Sequence, residues 1–258
     1  MISDTKVVAI GGGTGLSTML KGLKLHTHNI TAVVTVADDG GSSGILRSDL
    51  GMLAPGDVRN CVSALAEVDP VMGELLNFRF KDGSLKGHSL GNLFLAALNE
   101  TSSSFDEAVK KFSHLTGVVG TVYPVTNESV TLSALLEDGR LIEGESHIGV
   151  HHDGPKNGIV KLMVNPEKPK AVDGVIMALE KADIIVLGPG SLYTSIIPNL
   201  LVDGVVDAIK KSNAVKIYVC NIMSQAGETE NYTVSDHLAA IERHSYEGIA
   251  DIVIANNA

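Results

Sequence analysis

Tryptophan is absent from this chain of 258 residues, and all aromatics together make up only 4% of it. Stacking platforms for single-stranded nucleic acid and the cores of protein interfaces lean on aromatic rings, so neither is suggested. Cysteine is almost as scarce. Cys61, in "RNCVS", and Cys220, in "YVCNI", read as one residue in a helix and one in a strand, two separate buried thiols with no disulfide or metal pair between them. Positive charge is in deficit, and the formal net charge of −10 removes the electrostatic reason to seek nucleic acid or an anionic membrane. Any bound phosphate must therefore be held locally, by backbone amides, hydroxyls or a metal ion. No stretch reaches the ~18 apolar residues of a membrane span. The opening "MISDTKVVAI" lacks the basic flank and apolar core of a secretory signal. A soluble cytoplasmic protein is expected, with no membrane contact.

What is present is a chain that is 44% hydrophobic and 19% charged, enough to bury a large core. Strand and helix patterns alternate through its first half. "KVVAI" (6–10) and "NITAVVTVA" (29–37) read as buried strands, and "LSTMLKGLKLH" (16–26) places Leu16, Met19, Leu20 and Leu23 on one helical face. Four more helical patterns run over 57–68, 70–80, 89–100 and 104–115. From about 118 to 172 the pattern changes, and Asp138-Gly139 between apolar runs signals a hairpin. The α/β rhythm then returns: helices over 173–182, 193–212 (bent or interrupted at Pro198) and 235–245, with strands over 183–188, 214–220 and 250–255. The expected fold is α/β, a Rossmann-like doubly wound, mostly parallel sheet formed by residues 1–117 and 173–258. Residues 118–172 form a small antiparallel β-rich insertion. The chain stops at "NNA" directly after a strand, so a further functional segment is expected beyond Ala258.

Ligands of such sheets bind beyond the carboxyl ends of the strands. That rule selects loops 11–15, 38–44, 188–194 and 221–229, all rich in Gly, Ser, Thr, Asn or Asp. In "GGGTG" (Gly11, Gly12, Gly13, Thr14, Gly15) the dinucleotide fingerprint fails at Leu16 and Thr18, and the P-loop lysine is missing. A generic phosphate cradle remains, against a tight turn with no ligand. Asp38 and Asp39 end the second strand, where an acid binds a ribose or helps to hold Mg²⁺. The following "GGSSG" (Ser42, Ser43, Gly44) is a loop that offers amides to a second phosphate, or else an exposed turn. Asp49 and Asp57 are further acids, and Asp57 also suits a helix N-cap. In "LGPGSLYTSIIPNLL", Gly188, Pro189, Gly190, Ser191, Leu192, Tyr193 and Thr194 lead into a helix and suit a second cradle. Asn92, in "GHSLGNL" after His88 and Ser89, and Asn221, ahead of Gln225, Glu228 and Thr229, complete the candidates. "HHD" at 151–153 has no third spaced ligand and reads as a solvated loop. From the residues alone the outcome is a multi-phosphate ligand site and no reaction.

"GGGTGLSTMLKGL", "VVTVADDGGSSGILR", "PGDVRN", "GHSLGNL", "GPGSLYTSIIPNLL" and "CNIMSQAGETENYTVSDH" together resemble the YvcK branch of the CofD-like family, in order and over nearly the whole chain. The resemblance implies a bacterial cytoplasmic gluconeogenesis factor, implicated in cell shape and wall synthesis on gluconeogenic carbon and associated with nucleotide sugars such as UDP-GlcNAc. It implies a nucleotide ligand (UDP-sugar, NAD or GDP-like) on Gly12 to Gly15 and on Gly188 to Thr194. Asp39 and Asp49, with Ser43 and Gly44, would lie near an acceptor and Mg²⁺. Related CofD enzymes are 2-phospho-L-lactate transferases that move a phospholactyl group from a guanosine diphosphate donor to a deazaflavin alcohol, which makes catalysis by Asp39 and Asp49 the alternative. They carry a more aromatic loop where this chain has "DDGGSSGILRSDLG". A nicotinamide oxidoreductase ranks third. A homo-oligomer and a protein partner in cell-wall precursor metabolism are also expected.

Overall fold

The computed structural model describes residues 3–149 and 158–256; the "HHD" at 151–153 lies outside the described residues. The β-branched run after Lys6 forms β1 (Val7–Gly11), buried at every position. Both faces of a strand can be buried throughout only in a sheet covered on both sides. The chain continues through α1 (Gly13–Leu23), β2 (Ile30–Val34), α2 (Gly41–Leu50), α3 (Gly56–Leu65), α4 (Pro70–Asn77), α5 (Leu90–Glu100) and α6 (Phe105–Leu115) to β3 (Thr121–Pro124). An excursion follows: β4 (Thr131–Leu136), β5 (Leu141–Glu143), the short α7 (Glu145–Ile148) and β6 (Ile159–Asn165). The chain returns through α8 (Asp173–Lys181), β7 (Ile184–Leu187), a π-helical turn over Leu192–Ile196, α9 (Ile197–Leu200), α10 (Val205–Lys211), β8 (Val215–Val219), α11 (Val234–Arg243) and β9 (Ile252–Ile254).

Six strands form one sheet in the order β3-β2-β1-β7-β8-β9, every neighbouring pair parallel. β1 is central, its Val7 registered with Ile30 of β2 and Ile184 of β7. The first βα units wind outward on one side of β1 and the later ones on the other. The reversal between β1 and β7 opens a crevice at their carboxyl ends, the place where such sheets bind ligands. A second sheet, β5-β4-β6, is antiparallel, its hairpin turning at Asp138-Gly139 with Gly139 at φ +86°. This is the expected Rossmann-like doubly wound sheet with a small antiparallel companion.

Three local expectations need correction. Thr121–Pro124, placed by the sequence in the antiparallel insertion, is the edge strand of the main sheet and pairs in parallel with β2. Its inward residues Val122 and Pro124 complete the core beside β2. "GSSGILRSDL", read as a loop, is the helix α2, with Leu46 buried and Gly51 ending it in the left-handed region. Its serines and glycines hide the helical pattern because Ser42 and Ser43 are buried for polar reasons. The break in 193–212 falls after Leu200, where Gly204 at φ +87° starts α10, and not at Pro198, which sits in the first turn of α9, where a missing N–H costs nothing.

Candidate ligand-binding site

The glycine turn after β1 is built for close approach. A Cβ on Gly12 would lie 2.6 Å from the Asp57 carboxylate and 2.7 Å from Thr35, and one on Gly15 would lie 2.8 Å from the Pro189 carbonyl. These glycines let the 11–15 loop meet α3 on one side and the 188–190 loop on the other. Asn199 fastens the turn from below, donating to the Gly11 carbonyl at 3.2 Å. Gly12 caps α1 with extended backbone and no side chain of its own, and Asp57, reaching over from α3, accepts the Gly13 amide. Thr14 is exposed. The glycine-capped N-terminus of an eleven-residue helix, at the switch point of the sheet, is where an anion is best received.

Acids ring that end. Burial pushes the Asp57 carboxyl up to about 6, and Asp38 adds to the rise; the Gly13 amide, which donates to Asp57, works the other way. Burial likewise pushes Glu145 up to about 7, helped by Asp38, Asp39, Glu228 and Asp57. Five carboxylates from four segments thus converge. Among the described residues no three His, Cys, Asp or Glu side chains are arranged to hold a metal ion. Asp39 is already engaged: its oxygens accept the amides of Glu145 and Ser146, each at 2.9 Å, so it caps α7. Asp49 is exposed in the last turn of α2, about 12 Å along the helix from Gly41 at 1.5 Å per residue. Asp39 precedes that helix, so one ion cannot take ligands from both, and the expected metal pair is not brought together. Asp57 is the acid that meets the α1 end, and Asp38 is close enough to it to repel.

The second cradle is filled from within. Glu228 is buried, and its carboxylate accepts the Tyr193 amide at 2.9 Å, the Thr194 hydroxyl at 3.0 Å and the Gln225 amide at 2.9 Å. Asn221 clamps Gly190 through both its amide and its carbonyl. Ser191 donates to Gln225 at 2.7 Å. Leu192 and Tyr193 point into the core, where the Tyr193 hydroxyl donates to the Ile159 carbonyl on β6. The 188–194 loop therefore abuts the glycine turn, but a side chain occupies the end that a phosphate was expected to take.

Of the remaining candidates, Asn92 is buried and donates to the Ser42 hydroxyl, which in turn meets His88 Nδ1 at 2.9 Å. Ser43 is buried against Gly56, and Gly44 lets α2 start close over the Asp39 carbonyl, where a Cβ would lie 2.1 Å away. Glu145 lies in none of the sequence motifs, and Arg59 and Asn199 stand unremarked inside "PGDVRN" and "GPGSLYTSIIPNLL"; only burial and partners single the three out. Both cysteines are buried and free, as read.

Fold and loops together define a Rossmann-like α/β protein with a polar crevice at the switch point of its sheet. Residues 7–258 match the family described as 2-phospho-L-lactate transferase CofD. The chain belongs to that family. A gluconeogenesis factor of Bacillus subtilis is 46% identical over 255 residues, covering 98% of this chain and 78% of that protein. A Clostridium acetobutylicum relative that carries the same name provisionally is 52% identical over 257 residues; the match takes in 100% of this chain but only 57% of the relative. The crystal structure of a UPF0052 family member from Bacillus halodurans is 46% identical with a TM-score of 0.95, covering 100% of this chain and 82% of that one. The resemblance read from the six motifs thus extends over the chain.

Proposed function

We propose that this protein binds a nucleotide sugar of the UDP-GlcNAc kind, or a dinucleotide, and acts as a cytoplasmic regulator of carbon flux into the cell wall during growth on gluconeogenic carbon. The observation that carries the reading is the glycine-capped first turn of α1 at the switch point, with exposed Thr14 in it. A diphosphate there takes the amides of the first turn. The relatives' name supports the gluconeogenic setting. Asp38 and Asp57 fit an accompanying Mg²⁺, because a cation between them and the phosphates relieves their mutual repulsion. When bound, that ion neutralises charge on the diphosphate. Binding acts by population shift, through preference for one state of the segments at 38–51 and 221–229, which in turn changes affinity for a protein partner. A homo-oligomer belongs to the same reading.

The second reading is a CofD-like transferase, supported by the family match and by the raised Asp57 and Glu145 beside the phosphate end. Calorimetric titration of UDP-GlcNAc, NAD, GDP and ATP, each with and without Mg²⁺, separates the two. The expected result is a selective heat for UDP-GlcNAc, weakened about tenfold in Thr14→Val for one lost hydrogen bond to charged oxygen. GDP binding strengthened by Mg²⁺, with turnover of an acceptor, would favour the transferase. Silence from all four ligands would sink both.

A further inference from the structure

Arg59 is a buried cation that makes no salt bridge. The side chain is only 7% exposed, and neither ion pair among the described residues includes it. Its Nε donates to Asn92 Oδ1 at 3.3 Å and its Nη1 to Asn77 Oδ1 at 2.9 Å, both neutral amide oxygens. Two of the five guanidinium N–H groups are thus used, and none on a carboxylate. Asp57, two residues back on α3, is the acid whose charge reaches it, but Asp57 accepts from Gly13 instead. Taking an unpaired cation out of water costs several kcal/mol, and two amide oxygens do not offset that.

The surroundings add positive potential. Arg59 lies against the start of α5, where a Cβ on Gly91 would come within 2.9 Å of the Arg59 stem; glycine there makes the room. The first turn of α5, an eleven-residue helix, holds no acid. Arg79 is bridged through its backbone to Ser89, the N-cap of α5, and its guanidinium donates to the Gly87 carbonyl. It is close enough for its charge to lower the proton affinity of Arg59, after the larger effect of burial. Two arginines therefore flank the start of α5, whose first turn Ser89 caps at the Asn92 amide, in a protein of net charge −10.

We propose that Arg59 and Arg79, at the N-terminus of α5, form an oxyanion subsite separate from the α1 end. It takes the dianionic group of a small metabolite, a phosphate monoester or a dicarboxylate. Arg59 supplies a desolvated, preoriented fork, and Arg79 supplies charge at the mouth. The Arg59–Asn92–Ser42 chain of hydrogen bonds links the subsite to α2.

The test is titration of inorganic phosphate and, separately, malonate into the wild type and into Arg59→Gln, Arg79→Gln and Thr14→Val. Calorimetry and Tm are read at constant ionic strength set by sodium chloride. The wild type is expected to bind at least one of the two anions and gain Tm. Arg59→Gln should weaken that binding at least tenfold, and Arg79→Gln about threefold. Response to phosphate alone assigns a phosphate monoester, and response to malonate alone assigns a dicarboxylate. Arg79 is exposed, so its variant decides the matter if Arg59→Gln fails to fold. No binding by the wild type, or unchanged affinity in the arginine variants, overturns the subsite. Loss in Thr14→Val alone places the anion at α1, which overturns the subsite and leaves the nucleotide reading standing.

Discussion

Asp57 shows how one residue serves structure and site at once. It holds the Gly13 amide, and the absence of a Cβ on Gly12 lets it reach that far. The cost is a carboxyl pushed up to about 6 by burial and by Asp38. Such a group keeps its proton longer in the folded chain than in the unfolded one. Its contribution to stability is therefore complete below the unfolded value near 4 and is lost as pH rises through about 6. Asp57→Asn removes this dependence. Urea denaturation at pH 5 and pH 8 should show the variant gaining on the wild type by on the order of 1 kcal/mol at the higher pH. Glu145, pushed up to about 7, acts in the same direction.

At the scale of elements, α1 carries two glycines with opposite tasks. Gly15 faces the 188–190 loop, and a methyl there would press on backbone at 2.8–3.2 Å from Pro189 and Gly190. Backbone cannot swing aside as a side-chain end can, so Gly15→Ala is expected to cost about 1–3 kcal/mol. Gly22, two turns further along the same face, has nothing within 4 Å. Gly22→Ala should stabilise by about 0.5–1 kcal/mol through helix propensity alone. Chemical denaturation of the two variants checks both signs. Equal effects would mean that the two loops do not meet as closely as the glycine positions require.

Across the whole molecule, the antiparallel sheet is tied down over the crevice by a few long-range bonds. Asp39 caps α7, the Tyr193 hydroxyl reaches Ile159, and Arg47 spans from α2 to both sides. The Arg47 guanidinium donates to the Ala37 and Asp38 carbonyls at 3.1 Å and to the Val130 carbonyl at 2.8 Å. Arg47→Ala leaves three carbonyls without that donor and should cost about 2 kcal/mol. Amide exchange should accelerate in β4 and α7 while β1 stays protected, because the small sheet opens before the large one. Uniform acceleration across both sheets would contradict this order.

The alternation of strands and helices, the β1 turn, the hairpin at Asp138-Gly139 and the isolation of the two cysteines were all legible in the sequence. Each depends on spacing within a few residues, and periodicity and turn chemistry are local. The helix in "GSSGILRSDL" was not legible, since its small polar residues are buried by partners distant in sequence: His88 and Asn92 for Ser42, and Gly56 for Ser43. The acids told the same story. The sequence marked Asp38, Asp39, Asp49 and Asp57 as candidates by position alone. Tertiary structure made Asp39 a cap, left Asp49 in solvent and brought Asp57 and Glu145 together out of water. It also set Glu228 in the cradle beside Tyr193 and buried Arg59 without an acid. Electrostatics in a protein depend on which charges meet and how much water they lose, and both are decided only when distant segments pack.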